Sequence, residues 1–250
     1  MTQALDTGAA HPLLAAQGIV LSFGANKVLD GVDFSVHAGE AVGIVGPNGA
    51  GKTTLLAALS GSLRVAAGTV RMDGHDVTAL DAARRCRLGV ARSHQVPRPF
   101  GGMTVFENVL TAALHGGEFS KFEAYDRSLD ALSVCGMDGL VNRRAETLGL
   151  LDRKRLELTR ALATAPRLLL LDEIGGGLTD GEAIELVGTI RTLRQRGITV
   201  VWIEHIVHLL VQIAERLVCM DAGRVIADGT PDAVLSDATV VDAYLGGQRV

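Results

Sequence analysis

The run Gly46-Pro47-Asn48-Gly49-Ala50-Gly51-Lys52-Thr53-Thr54 constrains this chain more than any other stretch. An apolar segment, Ala41 to Val45, precedes it, and helical character follows from Gly51 to about Leu59. Strand, glycine-rich turn and helix thus satisfy the pattern G-x-x-x-x-G-K-S/T in the context it requires. Glycines at 46, 49 and 51 let the backbone bend around a phosphate and aim its N–H groups inward, while the helix N-terminus adds partial positive charge. Lys52 is then placed to neutralise β and γ oxygens of a bound phosphate chain, and the Thr53 hydroxyl to ligate Mg²⁺. Gly46, Asn48, Gly49, Gly51, Lys52, Thr53 and Thr54 are the candidate phosphate-binding residues.

A second signal lies in Arg167-Leu168-Leu169-Leu170-Leu171-Asp172-Glu173. Four leucines closed by two acids suit a strand buried on both faces of a parallel sheet, and the C-terminal end of such a strand faces the ligand crevice. Asp172 is suited to hold Mg²⁺ through its water shell, and Glu173 to orient or deprotonate an attacking water. By itself the motif is weak, because two acids can simply begin a loop. The phosphate cradle upstream supplies its meaning.

Around these motifs the periodicities change in an orderly way. Gly18 to Val77 reads as short β segments with glycine turns, broken by the one helix. Residues 97–160 read as a helical insert, with the capping box Thr104 to Glu107 and the stripe Phe106, Val109, Leu110, Ala113 and Leu114. Beyond Ala161 come a strand at Leu168 to Leu171, a helix behind the capping box Thr179 to Glu182, and a strand at Ile198 to Ile203. A hairpin turn at Asp221 to Arg224 and short helices after Pro231 complete the pattern. Alternating strands and helices imply a parallel sheet. Met1 to Gln17 reads as a loose tail, leaving 18–250 as one domain.

Composition narrows the function classes. With 250 residues and 48% hydrophobic content the chain buries a substantial core. A net charge of -4 supplies no basic field, which disfavours a nucleic-acid partner. Charges, glycines or prolines interrupt every apolar run before the roughly 18 residues a spanning helix needs. The first residues lack a basic n-region and carry Asp6 and Pro12, unlike a signal peptide, so a cytoplasmic location is expected. Cys86, Cys135 and Cys219 are scattered and unpaired in sequence; they read as buried thiols, with no redox or zinc chemistry indicated.

Cradle, acid-terminated strand and the helical segment between them together resemble the ATPase subunits of ABC transporters, over about residues 18–235. The resemblance implies an α/β P-loop NTPase core with a mixed sheet, an antiparallel β subdomain and a helical subdomain. It also implies ATP and Mg²⁺ as cofactors, and hydrolysis within a nucleotide-sandwich dimer beneath transmembrane permease subunits, on the inner face of the plasma membrane. In this family a glutamine entering the helical subdomain senses the γ-phosphate and joins the metal site; Val90-Ala91-Arg92-Ser93-His94-Gln95 fits, which implies Gln95 beside Thr53 and Asp172. A histidine after the next strand contacts the γ-phosphate, and Val201-Trp202-Ile203-Glu204-His205 matches, implying His205. An aromatic near the first turn stacks on adenine, implying Phe23. Outside the family context His205 reads as an ordinary helix-start histidine and Phe23 as a core aromatic.

A finer resemblance is to the ATP-binding subunits of branched-chain amino-acid importers. It rests on Met103-Thr104-Val105-Phe106-Glu107-Asn108-Val109-Leu110, on Ile203-Glu204-His205 and on Gly223-Arg224-Val225-Ile226-Ala227-Asp228-Gly229-Thr230-Pro231. It implies a solute-binding protein as an indirect partner, and a docking surface for the permease along Met103 to Leu114 and around Gln95, where a purely structural role for the apolar faces is the alternative.

Two segments depart from the family. Where Leu-Ser-Gly-Gly-Gln is usual, this chain has Leu148-Gly149-Leu150-Leu151-Asp152, so the serine that reaches the opposite subunit's ATP is missing. The helix N-terminus at Gly149, Leu150, Leu151 and Asp152 still favours an anion, with Asp152 as a cap and Arg153 and Lys154 offsetting its charge. The loop Ile174-Gly175-Gly176-Gly177-Leu178-Thr179 lacks the usual proline and the aspartate after the leucine. These changes leave open a homodimer or a heterodimer with a second ABC ATPase. They also leave open the alternative of a weakly hydrolytic nucleotide switch that does not energise transport.

Overall fold

Residues 11–246 are described by the structure, a computed structural model. Leu14–Phe23 (β1) and Asn26–Val36 (β2) form an antiparallel hairpin. Leu14 and Ala16 are buried, and then the phase of burial shifts to Ile19 and Leu21. The shift falls at an irregularity in the pairing between Ala16 and Ile19, where Gly18 adopts φ 60°. One extra residue there returns the apolar side chains to the same face. Residues 14–17 therefore belong to the sheet and Leu13 packs into its core, which corrects the expectation of a loose tail through Gln17; residues 1–10 lie outside the described residues.

Ala41–Val45 (β3) is buried along its whole length and runs through the cradle turn into Lys52–Leu59 (α1). Ala67–Met72 (β4) and His75–Asp76 (β5) complete a four-stranded sheet in the order β2-β1-β4-β5. Ala82–Arg87 (α2) leads to the short strand Val90–Arg92 (β6). The expected insert follows as Val105–Gly116 (α3) and Lys121–Val134 (α4), then two 3-10 turns and Leu150–Ala163 (α5), which runs past 160. The capping box of α3 forms as expected, and Ser120 with Glu123 makes a second one, unforeseen, that divides α4 from α3.

Leu168–Asp172 (β7), Asp180–Gln195 (α6), Thr199–Ile203 (β8) and Val207–Leu210 (α7) come next. Arg216–Asp221 (β9) and Arg224–Gly229 (β10) form the hairpin, and Pro231–Leu235 (α8) and Ala238–Gly246 (α9) follow it. The second sheet has the order β10-β9-β3-β8-β7-β6, parallel except for the β9–β10 hairpin, so it is mixed rather than purely parallel.

This central sheet separates two apolar cores, and its strands alternate between them. Val42, Ile44, Leu168, Leu170, Val201 and Ile203 face the core shared with β1, β2 and α1, whereas Val45, Leu169, Leu171, Val200 and Trp202 face the helical side. Burial on both faces explains why these strands read as continuous apolar runs. Val109 and Ala113 of the α3 stripe are buried in the helical-side core, with Phe106, Leu110 and Leu114 partly buried against it. Cys135 and Cys219 are buried, and burial pushes their thiols up to about 11, which keeps them protonated. Cys86 is half-buried, not buried as expected.

One buried cation anchors the cradle helix from behind. The last carbonyls of a helix lack intrahelical donors, and Arg85 meets two of α1's. Its Nη1 donates to Ala58 O and Leu59 O, both at 2.8 Å, while Nη2 and Nε donate to Thr78 O and Leu80 O. A cation at this end also complements the helix dipole. Replacing Arg85 by Met removes the guanidinium bonds from these carbonyls, of which Ala58 O keeps the Gly61 N–H. Urea unfolding of Arg85→Met is expected to show a loss of about 2–4 kcal/mol, against less than about 0.5 kcal/mol for the exposed Arg84→Met.

Candidate active site

Aligned strand ends create the site. In the parallel register Ile44 lies level with Ile203, and Ile203 level with Asp172, so the turns after β3, β8 and β7 emerge at one edge of the sheet. At the first of them Gly46 passes so close to β9 that a Cβ would lie 2.0 Å from the Met220 carbonyl oxygen. Gly51, at φ 97°, caps α1 in the left-handed region, and a Cβ there would lie 2.8 Å from Val28 O. Lys52 is buried, and its Nζ donates to Gly46 O at 2.7 Å and Pro47 O at 2.9 Å. Burial draws its pKa below the ordinary lysine value, opposed by the charge of Glu173. Asn48, Gly49, Gly51, Lys52, Thr53, Thr54 and Glu173 line one cleft at the mouth of the turn.

The acid pair divides its work. Asp172 is buried; its Oδ1 accepts from the Thr53 hydroxyl at 3.0 Å and its Oδ2 from Arg92 Nη2 at 2.7 Å. Glu173 turns the chain at φ 47°, a conformation uncommon for a side chain of this size. Its Oε2 accepts from Gln95 Nε2 at 2.5 Å, and its Oε1 lies 2.6 Å from His205 Nε2. The structure thus brings together Lys52, Thr53, Asp172, Glu173, Gln95 and His205 from four separate segments. Gln95 is paired with Glu173 and not with Thr53 and Asp172, beside which it was expected.

Two comparisons with known proteins decide what this arrangement belongs to. The sequence model described as ABC transporter matches residues 29–175, and one described as branched-chain amino acid ATP-binding cassette transporter matches residues 224–250. The chain is 34% identical to the high-affinity branched-chain amino acid transport ATP-binding protein BraF of Pseudomonas aeruginosa, over 94% of this chain and 98% of that one. The chain belongs to the ABC transporter family. It is an ATP-binding, ATP-hydrolysing cassette. A solved ATP-binding cassette of an ABC transporter in its ADP conformation superposes with a TM-score of 0.85 at 32% identity, covering 95% of this chain and all of the other. The lipopolysaccharide export system ATP-binding protein LptB of Acidithiobacillus ferridurans is 36% identical over 94% of this chain and 98% of that one. Cassettes named for quite different cargoes are therefore about equally similar to this one. No helix among the described residues is long and apolar enough to cross a membrane.

The altered signature of the cassette differs from expectation in two ways. Gly149 is the N-cap of α5 and no side chain caps the helix; Asp152 sits in its first turn, with Arg155 Nη1 3.7 Å from its carboxylate. Lys154 is buried and does not offset Asp152. Burial lowers its pKa, opposed by the charges of Glu204 and Glu173. Arg153 donates to Glu146 O. Leu150, 46% exposed, lies against Gly177 of the loop after Glu173, so the two departing segments touch. Phe23 is exposed at the tip of the β1–β2 hairpin, not in the core, and does not line the cleft.

Several polar residues of the site escaped the sequence reading. Glu204 is buried and accepts from Gly175 N at 2.9 Å and His205 N at 3.0 Å, tying the loop after Glu173 to the histidine. Ser93 Oγ accepts from the Asp172 N–H. Arg92, at the end of β6 and largely enclosed, supplies the charge opposite buried Asp172. A charged residue closing a short apolar strand was the available signal. Removing one partner of a buried ion pair strands the other, so Arg92→Met is expected to lose about 3 kcal/mol in chemical denaturation, and Arg92→Met with Asp172→Asn to lose less than the single variants' sum.

Proposed function

We propose that this cassette is the ATPase subunit of an importer for branched-chain or related amino acids, pairing with a second cassette, identical or different, under permease subunits at the cytoplasmic face of the plasma membrane. Lys52 binds β- and γ-phosphate oxygens, and backbone N–H groups of the turn between Asn48 and Thr54 surround them. Glu173 accepts a proton from the attacking water and aims it; Gln95, hydrogen-bonded to Oε2, and His205, 2.6 Å from Oε1, hold that carboxylate in place. The pairing of Glu173 with His205 and Gln95 beside Lys52 is the observation that carries the hydrolytic reading.

The donor set suits Mg²⁺. Mg²⁺ takes hard oxygen donors and keeps several waters, and the Thr53 hydroxyl and the Asp172 carboxylate meet at 3.0 Å, where the hydroxyl would ligate the ion and the carboxylate would hold its water shell. When bound, the ion would neutralise charge on the phosphates; Thr53 and Asp172 are the residues that would hold it. Gln95, which the family pattern also assigns to the metal, acts in this reading first on Glu173. Phe23, exposed at its hairpin tip, is available to an adenine ring. The α5 N-terminus, with Gly149, Leu150, Leu151 and Asp152, turns its backbone donors to the ATP of the opposite cassette.

Support for the amino-acid cargo comes from the C-terminal match at residues 224–250 and from the name of BraF. A solute-binding protein then delivers the cargo on the far side of the membrane. The exposed Val96, Phe100 and Met103, between Gln95 and α3, support permease docking there.

Lys52→Ala is expected to lose tight ATP binding, measured by equilibrium titration. Glu173→Gln is expected to keep binding while turnover falls by roughly two orders of magnitude or more; normal turnover in that variant overturns the assignment of the base. For the cargo, ATPase of the membrane complex carrying this chain should rise with a binding protein loaded with a branched-chain amino acid. A flat response to all such amino acids removes the importer reading and leaves the cassette chemistry intact.

A further inference from the structure

The C-terminal helix α9 reaches the phosphate cradle. Tyr244 Oη accepts a hydrogen bond from the Gly46 N–H at 2.7 Å, joining residues 198 apart in sequence. Val45 is the last β3 residue paired with β9, so the next N–H, at buried Gly46, leaves the sheet ladder without a strand partner. A buried backbone donor left unpaired is costly, and Met220 O, the nearest strand carbonyl, presses on the Cα side of Gly46. The same residue uses its carbonyl to accept from Lys52 Nζ at 2.7 Å. Gly46 thus stands between the tyrosine on one side and the phosphate-reading lysine on the other.

Helix α9 is built to present this hydroxyl. Asp237 Oδ1 accepts from Thr239 N at 2.7 Å at its start, and Val240 is buried in the helical-side core. Tyr244 lies one helical turn beyond Val240 on the same face. Burial raises the phenol's pKa, partly offset by the Gly46 N–H, so it remains a neutral hydroxyl. We infer that Tyr244 is a positioning residue for the nucleotide: its hydroxyl fixes the Gly46 peptide and, through the Gly46 carbonyl, the starting place of Lys52. The matched C-terminal segment, 224–250, then includes a working part of the ATP site.

This inference rests on the chain binding ATP, and the test separates the two. Hydrogen exchange at the Gly46 amide is read by NMR in the wild-type protein and in Tyr244→Phe, alongside equilibrium titration with ATP. The variant removes one oxygen and keeps the ring. It is expected to fold with a modestly lowered urea midpoint, to exchange Gly46 at least several-fold faster, and to bind ATP roughly two- to tenfold more weakly, the range set by one hydrogen bond. Wild-type exchange at Gly46 as fast as in an open loop overturns the inference without any variant. An unchanged ATP affinity in Tyr244→Phe overturns it as well, and so does weaker binding with unchanged Gly46 exchange. A wild-type protein that fails to bind ATP rejects the cassette reading instead, and Gly46 exchange still decides the contact.

Discussion

The parallel pairing of β3 with β8 and β9, and of β8 with β7, is the constraint on which the rest depends. Parallel strands point their C-terminal ends the same way, so the turns leaving them all emerge at one edge. Gly46 comes directly after β3, Asp172 closes β7 with Glu173 behind it, and Glu204 and His205 come directly after β8. Slipping any strand by one residue would exchange its two core faces and withdraw its polar end from the site. The double burial of these strands prevents that slip, because both faces already hold close-packed apolar side chains.

Within that edge the charges are held by specific partners. Asp172 is held by Thr53 and Arg92, Glu173 by Gln95 and His205, and Glu204 by two backbone N–H groups. Lys52 is folded onto two carbonyl oxygens of its own loop. Buried ions are tolerated only when so satisfied. The same bonds preset the directions in which these groups meet a phosphate, a metal or a water. Glu204 has a further effect: it couples the loop after Glu173 to the backbone of His205, linking the two departing segments to the hydrolytic centre through Leu150 and Gly177.

Local patterns that act over a few residues were legible in the chain. The cradle, the buried leucine strand, the capping boxes at Thr104 and Thr179 and the α3 stripe are of this kind. Others were missed because no single window contains them. The burial of Leu14 and Ala16 depends on pairing with β2 and β4, so a weakly patterned N-terminal run looked like a tail. Lys154 looked like a surface charge on a polar helix; its burial follows from where α5 packs. Asp152 has the composition of a cap but stands inside the first turn, because the helix begins at Leu150.

The sequence by itself determined that a glycine-bent turn would close one strand and open one helix, and that two acids would end another strand. It also determined family membership, since those patterns are set by backbone conformation and by alternation of apolar side chains. Only the tertiary structure decided which groups share a charge. Arg92 with Asp172, Gln95 with Glu173, and Tyr244 with Gly46 are joined across 80, 78 and 198 residues, and His205 reaches Glu173 from the far end of the next strand. Such contacts arise when strands pair and helices pack, and hydrogen bonds over a few ångströms leave no periodic trace along the chain.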